Sequence, residues 1–500
     1  MTCQLELPRA GARTVVLIGA ILLGALCLAA GAERRDPRKV PPPQFPGAEN
    51  HLRVPFLPPE RDWERIDIYV PKGPPGARCP CILLYYGGGW GDKVPFGKEH
   101  IQALLDNGYA VAVPDYVLGA QNPVPIVVWD GAAAVRFLRA HAATYRIDPE
   151  RIGAIGLSAG GWLAQYLGPS DDRTMIVVRL ARGKAPFLVP MLEPHPRNGE
   201  FSCKLAAIVT DWGAQRLAEK AVLRASPGWL GPDDPPLFTV HNDPGGKWPP
   251  GPAAYRDAGA IAEIAFVDVT NTHCVVGVAD KKDRPVMTKD KQGTGATLGR
   301  RTLQFLDEYV RNPRFGAAPE IIPHGGPIHE PTKVVLRSVH PTAAIHYTSD
   351  GTRPTAASPV YSGAISVGPS TTLKAIAVKP GLKPSPVATA VFRPCTLPPP
   401  VITTAQQAFT ARVGEPFAAT FEARSSAPVQ WFIAGKVGTA VDRSTNPPKP
   451  ITAFEIEAAT GRLTGVPSAP GTCVFIVVAS VQDGTETLVD ARSVVVTVQP

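Results

Sequence analysis

Gly156-Leu157-Ser158-Ala159-Gly160 joins an apolar run, residues 151–155, to a helix-like segment that opens at Gly161-Trp162-Leu163-Ala164. A serine between glycines at a strand-to-helix junction is what a nucleophile elbow requires. The turn holds the serine backbone in a strained conformation, and small neighbours let the next helix pack close enough to expose the hydroxyl. Ser158 is therefore the candidate nucleophile. The five residues alone are a weak signal, so the flanking strand and helix carry the reading.

Working outward, the hydrophobic pattern alternates between strand and helix periods. Strands are expected over 66–69, 81–86, 109–114, 151–157, 205–210, 237–241 and 264–269, and helices over 100–107, 127–145, 161–167 and 297–311. This spacing implies a doubly wound α/β domain, a mostly parallel sheet covered on both faces, ending near Asn312. The proline-rich, charged segment 33–59 reads as an extended lead-in packed on that domain. After residue 312 the texture changes to short alternating segments punctuated by Pro, Gly, Ser and Thr. Two small all-β sandwich domains are expected there, separated by the joint Pro394-Cys395-Thr396-Leu397-Pro398-Pro399-Pro400.

Length and charge set the outer limits. A chain of 500 residues is too long for one ordinary core, and its 44% hydrophobic content suits globular folding. Arg9 and Arg13, the apolar run 14–30 and Ala30-Gly31-Ala32 together read as a secretory signal cleaved after Ala32. An uncleaved anchor is the alternative, because the run falls at the lower limit for crossing a bilayer. The formal charge of +8 drops by one when Arg9, Arg13 and Glu6 leave with the leader. The remaining excess is spread without a long basic block, which argues against a nucleic-acid partner. Six cysteines follow the leader, at spacings that match no zinc ribbon, and their pairing is open. No His, Cys and carboxylate cluster has ligand spacing, so neither metal nor cofactor is expected.

Three further features complete a candidate constellation. The expected strand over 81–86 runs into Gly87-Gly88-Gly89-Trp90, where backbone N–H groups can approach an anionic oxygen. Gly88 and Gly89, with the N–H of Ala159, are the candidate oxyanion donors. A serine needs a base within hydrogen-bond reach. His273, in Thr270-Asn271-Thr272-His273-Cys274, follows the last expected sheet strand and is the candidate. His241 ends an inner strand and His100 opens a surface helix, both structural placements.

Together these residues resemble the α/β-hydrolase fold, particularly bacterial esterases and lipases related to hormone-sensitive lipase and to feruloyl and acetylxylan esterases. The likeness runs from about Ile66 to Val310. It passes through Ile66-Asp67-Ile68-Tyr69-Val70-Pro71, Gly87-Gly88-Gly89-Trp90, Tyr145-Arg146-Ile147-Asp148-Pro149-Glu150-Arg151-Ile152-Gly153 and the elbow. It implies Ser158 as nucleophile, His273 as base, and Gly88, Gly89 and Ala159 as oxyanion donors. The sequence departs from the family pattern in two places. Tyr86 stands where the family usually has histidine before the glycines. The acid loop reads His241-Asn242-Asp243-Pro244-Gly245-Gly246, with Asp243 two positions earlier than the family's aspartate. Asp243 is the candidate triad acid and Asp211 its substitute.

Ala344-Ile345-His346-Tyr347-Thr348-Ser349-Asp350-Gly351-Thr352-Arg353-Pro354 and Thr372-Leu373-Lys374-Ala375-Ile376-Ala377-Val378-Lys379 resemble the small β-sandwich at the C-terminal end of chitobiases. Residues 401–500, with Ala459-Thr460-Gly461-Arg462-Leu463-Thr464-Gly465-Val466-Pro467, resemble an immunoglobulin-like domain of bacterial surface proteins. The implied division is a leader over 1–32, a catalytic domain over 33–312 and β-sandwiches over 318–394 and 398–500. The function implied is that of a secreted serine carboxylesterase acting on ester substrates, carbohydrate-linked acyl groups among them. The competing reading is a degenerate hydrolase whose β modules hold glycan or cell surface.

Overall fold

Apolar runs flanked by turn residues build the central sheet, and their order along the chain sets its topology. The computed structural model describes residues 41–500 apart from 59–60, 62–63, 75, 90–92, 119–124, 172–173, 179–186, 195, 212–229, 242–249, 267–284, 288–292, 314–315, 439–440, 443–448, 451–453 and 485. In chain order the first elements are β1 (Ala48–Pro55), β2 (Arg65–Pro71), β3 (Cys79–Tyr85), α1 (Lys98–Asp106), β4 (Ala110–Pro114), α2 (Ile126–Ala140) and β5 (Ile147–Leu157). They continue with α3 (Ala159–Leu167), β6 (Met175–Val178), β7 (Phe187–Pro190), β8 (Ile208–Asp211) and β9 (Leu237–His241). Then come α4 (Pro250–Asp257), β10 (Ala262–Phe266), β11 (Pro285–Met287), β12 (Gly293–Thr297) and α5 (Leu298–Leu306).

The ten-stranded sheet has the order β1-β2-β4-β3-β5-β8-β9-β10-β11-β12. From β4 to β10 all neighbours run parallel, and the outer strands on either side are antiparallel. The chain passes from β3 to β4 on one side and then crosses to β5 on the other. The switch in winding direction therefore lies between β3 and β5, and in open sheets of this kind ligands bind beyond the strands' carboxyl ends at such a switch. The fold is α/β, an α/β-hydrolase arrangement, as expected.

The inner strands are buried on both faces: Ile82, Leu83, Leu84, Ala154 and Ile208 are all fully buried. Their near-continuous apolar runs are what a covered parallel sheet requires. Glycine allows the helices to approach one another. A Cβ on Gly131 of α2 would lie 2.7 Å from Leu163 of α3, and the Tyr85 hydroxyl donates to the Gly131 carbonyl at 3.0 Å.

One expectation gains detail and one is corrected. The lead-in 33–59 contains β1, an edge strand paired antiparallel with β2. Only its first residue, Ala48, is buried, while Leu52 and Val54, which alternate with His51, Arg53 and Pro55, are half-buried against the core. The helix expected over 127–145 stops at Ala140. Ala142 and Tyr145 keep the apolar pattern because the following turns bury them too, whereas Arg146, at φ 51°, swings the chain into β5.

Beyond residue 312 every element among the described residues is a strand. Glu320–Ile322, Thr332–Arg337 and Ile365–Val367 form one sheet, and Gly326–Ile328, Ala388–Pro394, Thr372–Val378 and Ala344–Thr348 form a second. Leu336, Val367, Leu373, Ala390 and Phe392 fill the space between them. After the proline-rich joint, Ala408–Arg412, Glu486–Gln499, Gly471–Asp483 and Gln430–Gly438 make a four-stranded sheet packed over Phe421, Trp431, Phe454 and Phe475. Residues Pro43–Pro500 form one compact unit. Cys79, Cys81 and Cys203 are free thiols, and Cys274 lies outside the described residues.

Candidate active site

At the end of β5 the backbone of Ser158 takes φ 49°, ψ −112° before α3 begins at Ala159. A side chain other than glycine rarely holds such a conformation, and the surroundings here impose it. A Cβ on Gly156 would lie 2.3 Å from the Gly160 carbonyl oxygen, and one on Gly160 would lie 2.0 Å from the carbonyl oxygen of Tyr85. Both positions therefore require glycine. The Ser158 N–H donates to the Asp211 carbonyl at 2.8 Å, and the Ser158 carbonyl accepts the Trp162 N–H at 3.0 Å. The serine is thus anchored to β8 on one side and to the elbow helix on the other.

The glycine triplet lies directly beside it. Strand β3 pairs Tyr85 with Gly156, and a Cβ on Gly87 would come 3.3 Å from the Ser158 Cβ. Gly88 and Gly89 have φ of 123° and 60°, a region favoured by glycine. The Gly87 carbonyl accepts the Val94 N–H at 3.1 Å, closing the loop that contains the glycines. Ala159 opens α3, so its N–H precedes the intrahelical ladder and lies at the positive end of the helix dipole. These groups can meet a negative oxygen formed next to Ser158.

Asp211 ends β8, opposite Leu157 in the parallel register, and is 2% exposed. It stands at a strand end adjoining the elbow. Asp243 and His273 lie outside the described residues. Strands β9 and β10, after which they come in the chain, are parallel to β8 and end on the same side of the sheet. His241 is the last residue of β9, and His100 lies in α1 beside Phe96, with ring centroids 5.9 Å apart.

A buried ionic network supports the loops around the site, and sequence reading missed it. Arg61 donates through Nη1 and Nη2 to the two oxygens of Asp130 at 2.6 and 2.7 Å, and through Nε to Glu64 at 2.8 Å. Asp130, on the first turns of α2, also accepts the Val117 N–H at 2.9 Å. One carboxylate therefore ties the entry segment, α2 and the loop after β4. Burial pushes Glu64 up to about 8 against the attraction of Arg61, and its Oε1 finds no partner among the described residues. The separation of 69 residues between Arg61 and Asp130 left no local signal.

Residues 66–223 match the family model BD-FAE, and residues 323–389 match that of the chitobiase/beta-hexosaminidase C-terminal domain. The first match spans β2 to the segment after β8 and includes the elbow. Among curated proteins, the chain is 34% identical over 102 residues to a probable isoprenylcysteine alpha-carbonyl methylesterase of Arabidopsis thaliana, covering 20% of this chain and 21% of that protein. It is 36% identical over 95 residues to the carboxylesterase NlhH of Mycobacterium tuberculosis, covering 18% of this chain and 29% of the relative. The chain thus spans about a fifth to a third of the length of such relatives. Among solved structures, a truncated carbohydrate esterase from gut microbiota covers 46% of this chain and 90% of its own, with 22% identity and a TM-score of 0.39.

Proposed function

We propose that this chain is a secreted serine carboxylesterase whose substrates include acyl groups carried on carbohydrate. The observation that carries the reading is the strained Ser158 elbow set against the positive-φ glycines of the neighbouring loop. The BD-FAE match over 66–223 supports ester chemistry, and the chitobiase-like match over 323–389 favours a carbohydrate context. We assign a leader to 1–32, the catalytic domain to 33–312, and β-sandwiches to 318–394 and 398–500, the last immunoglobulin-like.

In this mechanism the Ser158 oxygen attacks the ester carbonyl while His273 takes its proton. The oxygen of the tetrahedral intermediate becomes negative and is met by the N–H groups of Gly88, Gly89 and Ala159. Collapse breaks the bond to the alcohol, which leaves with the proton from His273. Water then attacks the acyl-serine by the same route and releases the acid. A carboxylate, Asp243 or Asp211, orients the imidazole and stabilises its charged form.

The test is hydrolysis of p-nitrophenyl acetate by the intact protein and by Ser158→Ala, followed by assays on acetylated and feruloylated xylan. Turnover lost in the variant is expected. Equal indifference to both xylans would overturn the carbohydrate assignment, and no turnover of any ester by folded wild-type protein would favour a glycan-binding role.

A further inference from the structure

The oxyanion loop contains residues that gain nothing from a fixed shape by themselves. Glycine loses more conformational freedom on ordering than any other residue, yet a donor misplaced by about 1 Å can cost on the order of 100-fold in rate. Something outside Gly87, Gly88 and Gly89 must hold them.

Tyr86 and Tyr116 bond to each other reciprocally at the base of this loop. The Tyr116 hydroxyl donates to the Tyr86 carbonyl at 2.6 Å. The Tyr86 hydroxyl accepts the Tyr116 N–H at 3.2 Å and donates to the Tyr116 carbonyl at 3.2 Å. The two rings stack with centroids 4.2 Å apart and planes 13° from parallel. Both side chains are almost wholly buried, at 1% and 2% exposure. From the far end of the loop, Lys93 lies 5.0 Å above the Tyr86 ring and pairs with Asp115 at 2.5 Å. Asp115 in turn accepts Arg53 Nη1 at 2.7 Å.

The Tyr86 carbonyl is half of the peptide plane whose other half is the Gly87 N–H. Because that plane is rigid, fixing the carbonyl fixes the direction in which the chain enters the glycines. Burial keeps both phenols protonated well above their ordinary range, so the Tyr116 hydroxyl remains a donor at any pH where an ester would be hydrolysed.

We propose that Tyr116 and Tyr86 are positioning residues for the oxyanion hole: the Tyr116 hydroxyl, through the Tyr86 carbonyl, sets the approach of the Gly88 and Gly89 N–H groups to Ser158. The inference rests on the esterase reading. Tyrosine at position 86 then has a specific use, since it provides both the stacking face and the hydroxyl that grips the backbone of its partner.

The test compares steady-state kinetics on p-nitrophenyl acetate for wild type, Ser158→Ala, Tyr116→Phe and Tyr86→Phe, with a thermal unfolding midpoint for each. Tyr116→Phe keeps the stacked ring and removes the 2.6 Å bond. Its kcat is expected to fall about 10- to 100-fold with KM changed less than about twofold, because the lost interaction matters most in the transition state. Tyr86→Phe leaves the bond from Tyr116 in place and is expected to show a smaller fall of the same kind. If Tyr116→Phe fails to fold, the kcat of Tyr86→Phe decides. Unchanged kcat in folded variants, with any loss confined to the unfolding midpoint, overturns the clamp while leaving the esterase reading intact. Turnover surviving in Ser158→Ala, or missing from wild type, overturns the reading and the clamp with it.

Discussion

Gly160 shows how little freedom the site allows a single residue. The 2.0 Å approach of a Cβ to the Tyr85 backbone oxygen cannot be relieved by a side-chain rotation, so Gly160→Ala must move either β3 or the elbow. Loss of at least about 100-fold in esterase turnover is expected in a protein that still folds, measured with p-nitrophenyl acetate alongside circular dichroism. Glu64 gives a residue-scale prediction of another kind. Its folded value of about 8 lies above the ordinary carboxylate range, so the contribution of its protonated form is fully present below about pH 4.5 and is lost as pH rises through about 8. Glu64→Gln keeps the shape and removes that titration. The variant should hold its unfolding midpoint between pH 6 and 9 better than wild type, and parallel profiles would refute the assignment. Ser158 and the glycines around it were legible in the sequence because their chemistry is local. Glu64 was not, because its environment is assembled from distant segments.

At the scale of elements, β3 and β9 follow the expected runs closely because their apolar stretches are buried, whereas β5 begins at Ile147, four residues before the expected start, through the half-buried polar stretch 148–151. Strand β1 escaped notice because its short Leu52 and Val54 alternation sits inside a proline-rich, charged segment, and α2 was expected to run too far because packed turns imitate helical periodicity. The same helix illustrates what holds elements together. Asp130 on α2 receives two bonds from Arg61 and one from Val117, all buried. Asp130→Ala would leave the Arg61 guanidinium without its bidentate partner, which should cost about 3 to 5 kcal/mol. Urea unfolding followed by tryptophan fluorescence measures this, and a loss under 1 kcal/mol would show that the pair is not a structural tie.

The three parts of the molecule are packed together within one compact unit. Ser202 donates to Glu320 at 2.6 Å, Arg337 donates to the other Glu320 oxygen at 2.6 Å and also to the Gly199 carbonyl at 2.8 Å. Burial works against the Glu320 carboxylate, yet Arg337, Ser202 and Lys204 hold it below the usual range. Nearby, His340 Nε2 accepts the Ala317 N–H at 3.1 Å, which leaves Nδ1 to donate to Glu150 at 2.9 Å. The last sheet is covered on both sides. In Gly471–Asp483, Cys473, Phe475, Val477 and Ala479 enter its own sandwich, while Val474, Ile476 and Val478 join the cluster that contains the core of the ten-stranded sheet, with Ala434, Ala491 and Val495. Alternation in the sequence identified a β module, but the apolar second face was masked by valine on both sides of the strand. Truncation after Thr396 would expose that face and is expected to lower the unfolding midpoint by at least about 5 °C or cause aggregation. A truncated protein as stable as the full chain would show that the module is an independent appendage.

The central claim concerns Ser158, and covalent capture addresses it most directly. Full-length protein is incubated with a fluorophosphonate probe, and the labelled peptide is mapped by mass spectrometry, with Ser158→Ala treated in parallel. The account predicts one adduct, on Ser158, and none in the variant. Folded wild-type protein that remains unlabelled, or label on a different residue, would contradict it.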